Sequence, residues 1–139
     1  TTAEIFGAGV RKPVIAAISG YCLGLGLCLA INSDIRVASD NAKFGLPEVK
    51  VGNPAALGVT VKVAQYFPRG IALELLLLGE YMSAEDGYRL GFINKIVPQH
   101  EVMSVAETYA DKINELSPVA VRSIKQAFYK WMKLQKPQP

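Results

Sequence analysis

One histidine, two cysteines and no basic run longer than the pair Arg11-Lys12 leave this sequence few of the usual routes to chemistry. His100, in the polar stretch "PQHEV", reads as a loop or helix-start residue and gives a Ser-His-Asp or Cys-His mechanism little support. Cys22 and Cys28 lie six positions apart with no CxxC spacing and no histidine cluster. They read as ordinary buried thiols, because a metal site needs more ligands than these. Charged residues make up only 19% of the chain and the net charge of +3 is spread thinly, which argues against the concentrated basic stripe of a nucleic-acid surface. Anionic small ligands stay open. The first residues lack a basic region followed by an apolar core and a small-residue cleavage site, so no signal peptide is read there. There is no internal repeat and no low-complexity segment.

What the chain does have is apolar residues, half of its 139 positions. That length suits one packed domain burying roughly two thirds of its unfolded surface. The densest stretch runs from Pro13 to Ser33, 21 residues without a charge. It is long enough to cross a bilayer core, and Gly20 and Gly24 stand at the GxxxG spacing of packed membrane helices. Against a membrane span, "VIAAIS" is short, β-branched and followed by Gly-Tyr, which suits a buried strand entering a turn. "GLGLCLAINSD" then suits a short helix and "IRVAS" a second strand, an order typical of an α/β core whose parallel strands are covered on both faces. A dinucleotide-binding loop fits poorly: Leu29 stands where a third small residue would be needed, and the acidic residue further on is Glu48, in a loop context.

The rest of the chain is mostly helical. "KFGLPEVKV" (43–51) reads as two short extended pieces around Pro47 and Glu48, and "GNPAALG" (52–58) as a turn before a helix. Helices are predicted over Val59–Phe67, over "IALELLLLG" closed by Gly79, over Ser83–Leu90 with Ser83 as N-cap, and over Glu101–Leu116 and Pro118–Leu134. The four consecutive leucines predict a helix buried on most of its circumference, in its own domain or against a neighbouring subunit. "FINKIV" reads as a strand. No linker divides the chain, so residues 1–98 form a core and 99–139 a helical segment of the same domain, with a polar tail "KLQKPQP" that should fray.

Two features could carry chemistry. The Gly24–Gly26 turn opens a helix, so its unpaired N–H groups and the helix dipole can stabilise negative charge developing on an oxygen. Glu48 follows Pro47 in apolar surroundings, where desolvation would raise its pKa toward that of a general acid or base.

Read together with their neighbours, these features become specific. "KPVIAAISGYCLGLGLCLAINSDIRVASDNAKFGLPEVKVG", Lys12 to Gly52, closely resembles the signature region of the enoyl-CoA hydratase/isomerase (crotonase) superfamily. The resemblance continues through "LLLLGEYMSAEDGYRLGFINKIVP" and thins in the last two helices. It implies an α/β fold, a partial crotonase-like ββα spiral followed by a C-terminal helical region, and an acyl-CoA thioester whose enolate is held between two backbone N–H groups. The second of those donors falls on Leu25, with Gly24 and Gly26 shaping the bend. Hydratases of the family pair two glutamates; Glu48 matches the second, and Cys28 stands at the place of the first. Ala56 replaces a glycine in the loop after Gly52, and Lys125 and Phe128 match positions that in relatives approach the coenzyme A nucleotide.

The resemblance thus implies single-glutamate base/acid chemistry, isomerase-like or hydratase/dehydratase, with a catalytically silent binding or assembly protein as the rival. It implies no metal and no covalently bound cofactor, coenzyme A only as part of the substrate, a homotrimer or hexamer, no nucleic-acid or membrane partner, and an intracellular location, cytoplasmic in a bacterium or archaeon. Because "TTAEIFGAGVR" does not resemble the "AGAD"-like motif that carries the first oxyanion donor, the chain is expected to be the C-terminal half of a longer protein.

Overall fold

The uncharged run does not fold as one element. In the computed structural model, which describes residues 10–54 and 57–134, it splits into strand β1 (Ile15–Ile18), strand β2 (Tyr21–Leu23) and helix α1 (Leu25–Asn32). Gly20, at φ 72°, makes the corner between the two strands, a conformation that glycine reaches without strain. The same order then repeats with β3 (Ile35–Ser39), β4 (Lys43–Gly45) and a 3-10 turn at Pro47–Val51. Helices α2 (Leu57–Tyr66) and α3 (Arg69–Leu78) follow, then β5 (Met82–Ser83), α4 (Ala84–Arg89), β6 (Lys95–Val97), a 3-10 turn at Gln99–Glu101, α5 (Val102–Asn114) and α6 (Pro118–Leu134).

Among the described residues the strands form two three-stranded sheets, ordered β1-β3-β6 and β2-β4-β5. The first is parallel throughout, with Ile15 opposite Ile35 and Val37 opposite Lys95. In the second, β2 runs parallel to β4 and only β5 is antiparallel. Each ββ unit therefore places its first strand in one sheet and its second in the other. The corners stack as well, since the Lys43 N–H donates to the Gly20 carbonyl at 3.0 Å and the Gly20 N–H to Ser39 Oγ at 3.3 Å. This mixed α/β arrangement is the partial spiral followed by helices that the sequence implied.

The main core lies between α1, α2, α3 and the second sheet, built on Leu27, Ile31, Phe44, Leu46, Val63 and Phe92. Phe92 anchors it, with ring centroids of Phe44, Tyr66 and Phe67 at 5.7, 5.5 and 5.1 Å. A smaller cluster of Val37, Val97, Val102 and Ala106 fastens α5 to the first sheet. No helix among the described residues is long and apolar enough to cross a membrane.

Several local expectations hold. Ser83 Oγ accepts the Asp86 N–H at 3.1 Å as the cap of α4, Gly79 closes α3 at φ 65°, and α6 spans the predicted Pro118–Leu134. Others need correction. Residues after Pro47 coil into a 3-10 turn instead of extending, because the proline fixes a helical φ at its first position. "FINKIV" is a strand only from Lys95, since Phe92 and Ile93 are drawn into the core, where they are fully or almost fully buried. In the leucine run, Leu75 is buried within the chain, while Leu73, Leu77 and Leu78 are exposed on this single chain, which leaves the expected cover by a neighbouring subunit untested.

Helix α6 meets the body through Asp34, at the junction of α1 and β3. Asp34 Oδ2 accepts from the Val14 N–H and from Lys125 Nζ, each at 2.7 Å, and Oδ1 accepts from the Tyr129 hydroxyl at 2.5 Å. Burial first, and the Asp34 hydrogen bond second, push the Tyr129 phenol well above its usual range.

Candidate active site

The helix opening at Gly24 is shaped for one residue only. Gly24 has φ 54° and ψ −119°, and a Cβ there would come within 3.0 Å of Glu48 Oε1. A side chain at this position would be both strained and in collision with the carboxylate. The Gly24 N–H is tied to the Gly45 carbonyl at 3.1 Å, which fixes the turn against β4. The first intrahelical bond of α1 runs from the Cys28 N–H to the Gly24 carbonyl at 3.1 Å. The N–H groups of Leu25, Gly26 and Leu27 therefore belong to the first turn and have no acceptor within the helix. Leu25 is 62% exposed, so the turn opens to the surface of the chain. Gly26 is less constrained, since a Cβ there would meet Cys22 Sγ at an ordinary 4.0 Å.

Glu48 reaches this turn from the 3-10 segment. Pro47 starts that segment, Gly52 ends it in the left-handed region, and the Asn53 N–H bonds back to the Glu48 carbonyl at 3.0 Å. From behind, the end of α3 presses against it. A Cβ on Gly79 would stand 3.0 Å from Val49 Cγ1 and 3.3 Å from Pro47 Cα, so the glycine that caps α3 also lets the Glu48 turn seat closely. The carboxylate lies with Oε1 beside Gly24, while Oε2 is shut off from solvent with no hydrogen-bond partner among the described residues. A buried, unpaired carboxylate oxygen is costly and rare in folded proteins, and one in a native fold calls for a specific cause such as a bound water, an ion or a catalytic role.

Cys28 sits one turn further along α1, half-buried. Its thiol is raised above the usual range by burial first and by the Glu48 charge second. Cys22 is pushed up to about 11, mainly by burial. Both therefore stay protonated near neutral pH, and Cys28 is no substitute for a carboxylate.

Of the residues singled out in the sequence, the structure brings Gly24, Leu25, Cys28 and Glu48 together, with Gly26 in the same turn. Lys125 is 8% exposed and is engaged with Asp34 and with the Lys12 carbonyl, at 2.7 and 2.8 Å. Phe128, on the same helix, is exposed and packs against Tyr129 and Trp131. Ala56 lies outside the described residues. His100 is 81% exposed on its 3-10 turn, as a surface residue would be. No group of three or more His, Cys, Asp or Glu among the described residues is placed to hold a metal ion.

Two supporting positions escaped sequence reasoning. Gly45 receives the Gly24 N–H, and a Cβ on it would fall 2.7 Å from Tyr81 Cδ1, a constraint legible only as a lone glycine in "KFGLP". Arg36 is buried at the far end of α1, where its guanidinium donates to the carbonyls of Ala30, Ser33 and Phe92.

Comparison with known proteins places the chain in a family. The family model for enoyl-CoA hydratase/isomerase matches residues 8–139. (E)-benzylidenesuccinyl-CoA hydratase of Thauera aromatica is 44% identical over 116 residues, which are 84% of this chain and 45% of that protein. Short-chain-enoyl-CoA hydratase of Clostridium acetobutylicum is 40% identical over 123 residues, 88% of this chain and 47% of its own length. The crystal structure of carnitinyl-CoA hydratase from Mycobacterium avium superposes with a TM-score of 0.84 at 42% identity, over 87% of this chain and 46% of that one. The chain thus spans about half the length of the relatives it matches, in sequence and in fold. It belongs to the enoyl-CoA hydratase/isomerase family.

Proposed function

We propose that this chain carries the proton-transferring part of an acyl-CoA hydratase/isomerase-type site. The observation that supports it most directly is Glu48 Oε2, buried and without a partner among the described residues, beside the Gly24–Leu25 turn. In this reading a thioester carbonyl oxygen accepts the Leu25 N–H, with Gly24 and Gly26 holding the bend and the dipole of α1 adding to the stabilisation. Glu48 takes a proton from the carbon next to the carbonyl, the electron pair passes to the carbonyl oxygen as an enolate, and the protonated Glu48 returns the proton. With return to a different carbon of a conjugated system, the double bond moves.

Cys28 favours this single-base course over two-glutamate hydration, because a protonated thiol in its place cannot activate water as a carboxylate would. The substrate is an acyl-CoA, with no metal and no further cofactor. The reading extends to a homotrimer or hexamer that covers the exposed leucines of α3, to Ala56, Lys125 and Phe128 on the coenzyme A side, and to an intracellular protein. Hydratase/dehydratase turnover is the second course, favoured by the names of the relatives.

Steady-state assays with a 3-enoyl-CoA and a 2-enoyl-CoA test the scheme. Glu48→Gln should lower kcat by about 100- to 10,000-fold, the usual weight of a general base, while acyl-CoA binding persists. Turnover that survives the substitution removes Glu48 as the base. Absence of both turnover and acyl-CoA binding favours the silent binding or assembly protein.

A further inference from the structure

Among the residues gathered at the candidate site, Cys28 has no part in the proton-transfer scheme. It stands four residues after Gly24 on the same face of α1, and its N–H closes the first helical bond to the Gly24 carbonyl at 3.1 Å. The Cα–Cβ bond of a helical residue tilts toward the helix N-terminus, so Cys28 is set over the turn that carries Leu25, about 4.5 Å along the axis. Its thiol is half-buried and feels the Glu48 charge. Glu48 Oε1 lies beside Gly24, and Oε2 is closed to solvent with no partner among the described residues. A nucleophile, a base for its proton and an N–H donor for the charge that follows are thus gathered at one helix opening, the set that nucleophilic addition requires.

The base is needed because a thiol raised above its usual range is little ionised near neutral pH. Cys22 lacks the same arrangement. It is 7% exposed and packs under Gly26, and its pKa is raised by burial and by Cys28, with no contribution from a carboxylate.

We infer that Cys28 is a nucleophile for α,β-unsaturated thioesters, adding reversibly to the β-carbon of a 2-enoyl-CoA held at the Leu25 turn. This rests on the thioester placement proposed above. Glu48 takes the thiol proton, the sulfur forms a bond to the β-carbon, and the π electrons of the double bond move through the α-carbon to the carbonyl oxygen, where the Leu25 N–H meets the enolate. Glu48 then delivers the proton to the α-carbon. An S–H and a C=C bond are exchanged for an S–C and a C–H bond, nothing leaves, and the reverse steps release the enoyl-CoA unchanged. The ligand class is therefore narrow: the chain must have its double bond conjugated to the thioester, and a saturated acyl-CoA offers the sulfur no β-carbon to attack.

The test is intact-mass spectrometry and peptide mapping of the chain after incubation with crotonyl-CoA. A gain equal to the whole of crotonyl-CoA, located on Cys28, is expected, with none from butyryl-CoA. Cys28→Ser should abolish the adduct and Cys22→Ser should keep it, each with the circular dichroism of the parent. Glu48→Gln should slow adduct formation at least 10-fold, although iodoacetamide labels Cys28 of that variant faster than in the parent. These opposite signs would not arise from a thiol that merely packs. The inference is overturned if the parent forms no adduct, if the adduct lies on Cys22, if only the acyl group is gained and coenzyme A is released, or if Glu48→Gln forms the adduct as fast as the parent. Turnover that depends on Glu48 without any adduct would leave the proton-transfer reading standing and remove only the nucleophile. An adduct without turnover would do the reverse.

Discussion

Replacing Arg36 by leucine should destabilise the fold by about 3–5 kcal/mol, the scale seen when one partner is taken from a buried charged contact. Arg36 is 5% exposed, and its guanidinium makes hydrogen bonds of 2.6 Å to Phe92 O, 2.6 Å to Ser33 O and 3.0 Å to Ala30 O. Its carbon Cζ lies 4.8 Å from the ring centroids of both Tyr66 and Phe92. Buried ion pairs elsewhere are sometimes replaced by apolar residues without loss, because both partners can be changed together. That escape is closed here, since the acceptors are main-chain carbonyls that no substitution removes. Ala30 O retains the Ser33 N–H, but Ser33 O and Phe92 O would be stranded at about 1–3 kcal/mol each, with the cation–π contact of about 1–2 kcal/mol lost as well. Leucine returns part of this as apolar burial. Lysine keeps the charge but not the planar fork, so Arg36→Lys should fall between the two. Urea unfolding followed by circular dichroism, with the midpoint and slope fitted separately, measures the effect. A change below about 1 kcal/mol in Arg36→Leu with an unchanged slope would refute the claim that these carbonyls depend on the guanidinium.

The site offers sharper chemical probes. Gly24→Ala should cost about 1–3 kcal/mol in the same unfolding experiment and shift the Glu48 turn, because the added Cβ is both at positive φ and 3.0 Å from the carboxylate. Thiol labelling reads the contact between Cys28 and Glu48: the carboxylate charge raises the Cys28 pKa, so Glu48→Gln should lower it and speed alkylation of Cys28 at a fixed pH between 7 and 9. Equal labelling rates in parent and variant would separate the two residues. Cys22, pushed up to about 11, should resist labelling until the solution is strongly alkaline. Asp34→Asn should speed hydrogen exchange in α6 at least several-fold more than in α1 or β3, because Lys125 and Tyr129 both fasten that helix to the one carboxylate. Uniform acceleration across the chain would assign Asp34 to global stability instead.

The sequence made the site more legible than the layout of the sheets. The Gly24–Gly26 turn before an apolar helix and the carboxylate after Pro47 could be picked out locally, while the places of Leu25 and Cys28 came only through the family resemblance of the stretch as a whole. Strand pairing is not local. Nothing in "VIAAIS" or "YCL" says that consecutive strands enter different sheets, because that depends on the Gly20 corner and on which later strand each one meets. The misread strand at "FINKIV" has a similar cause: Phe92 and Ile93 have strand-like side chains, but the aromatic core around Phe44, Tyr66 and Phe67 binds them more strongly than a ladder would.

Arg36 and Asp34 show why the supporting residues were the hardest to read. In the sequence they are two charges in "SDIRVAS", on either side of an isoleucine, with every sign of a solvated strand end. In the fold they hold opposite neighbours of the same helix. Arg36 closes the carbonyl end of α1 through Ala30 and Ser33, and Asp34 ties the following residue to α6. The other end of α1 is the turn at Gly24–Leu25, so the geometry offered to Glu48 rests on contacts made a full helix length away. A charge in an apolar sequence is therefore best judged by how many main-chain groups are left without partners near it, and the carbonyls at the end of α1 meet Arg36 just as its first N–H groups find no acceptor within the helix.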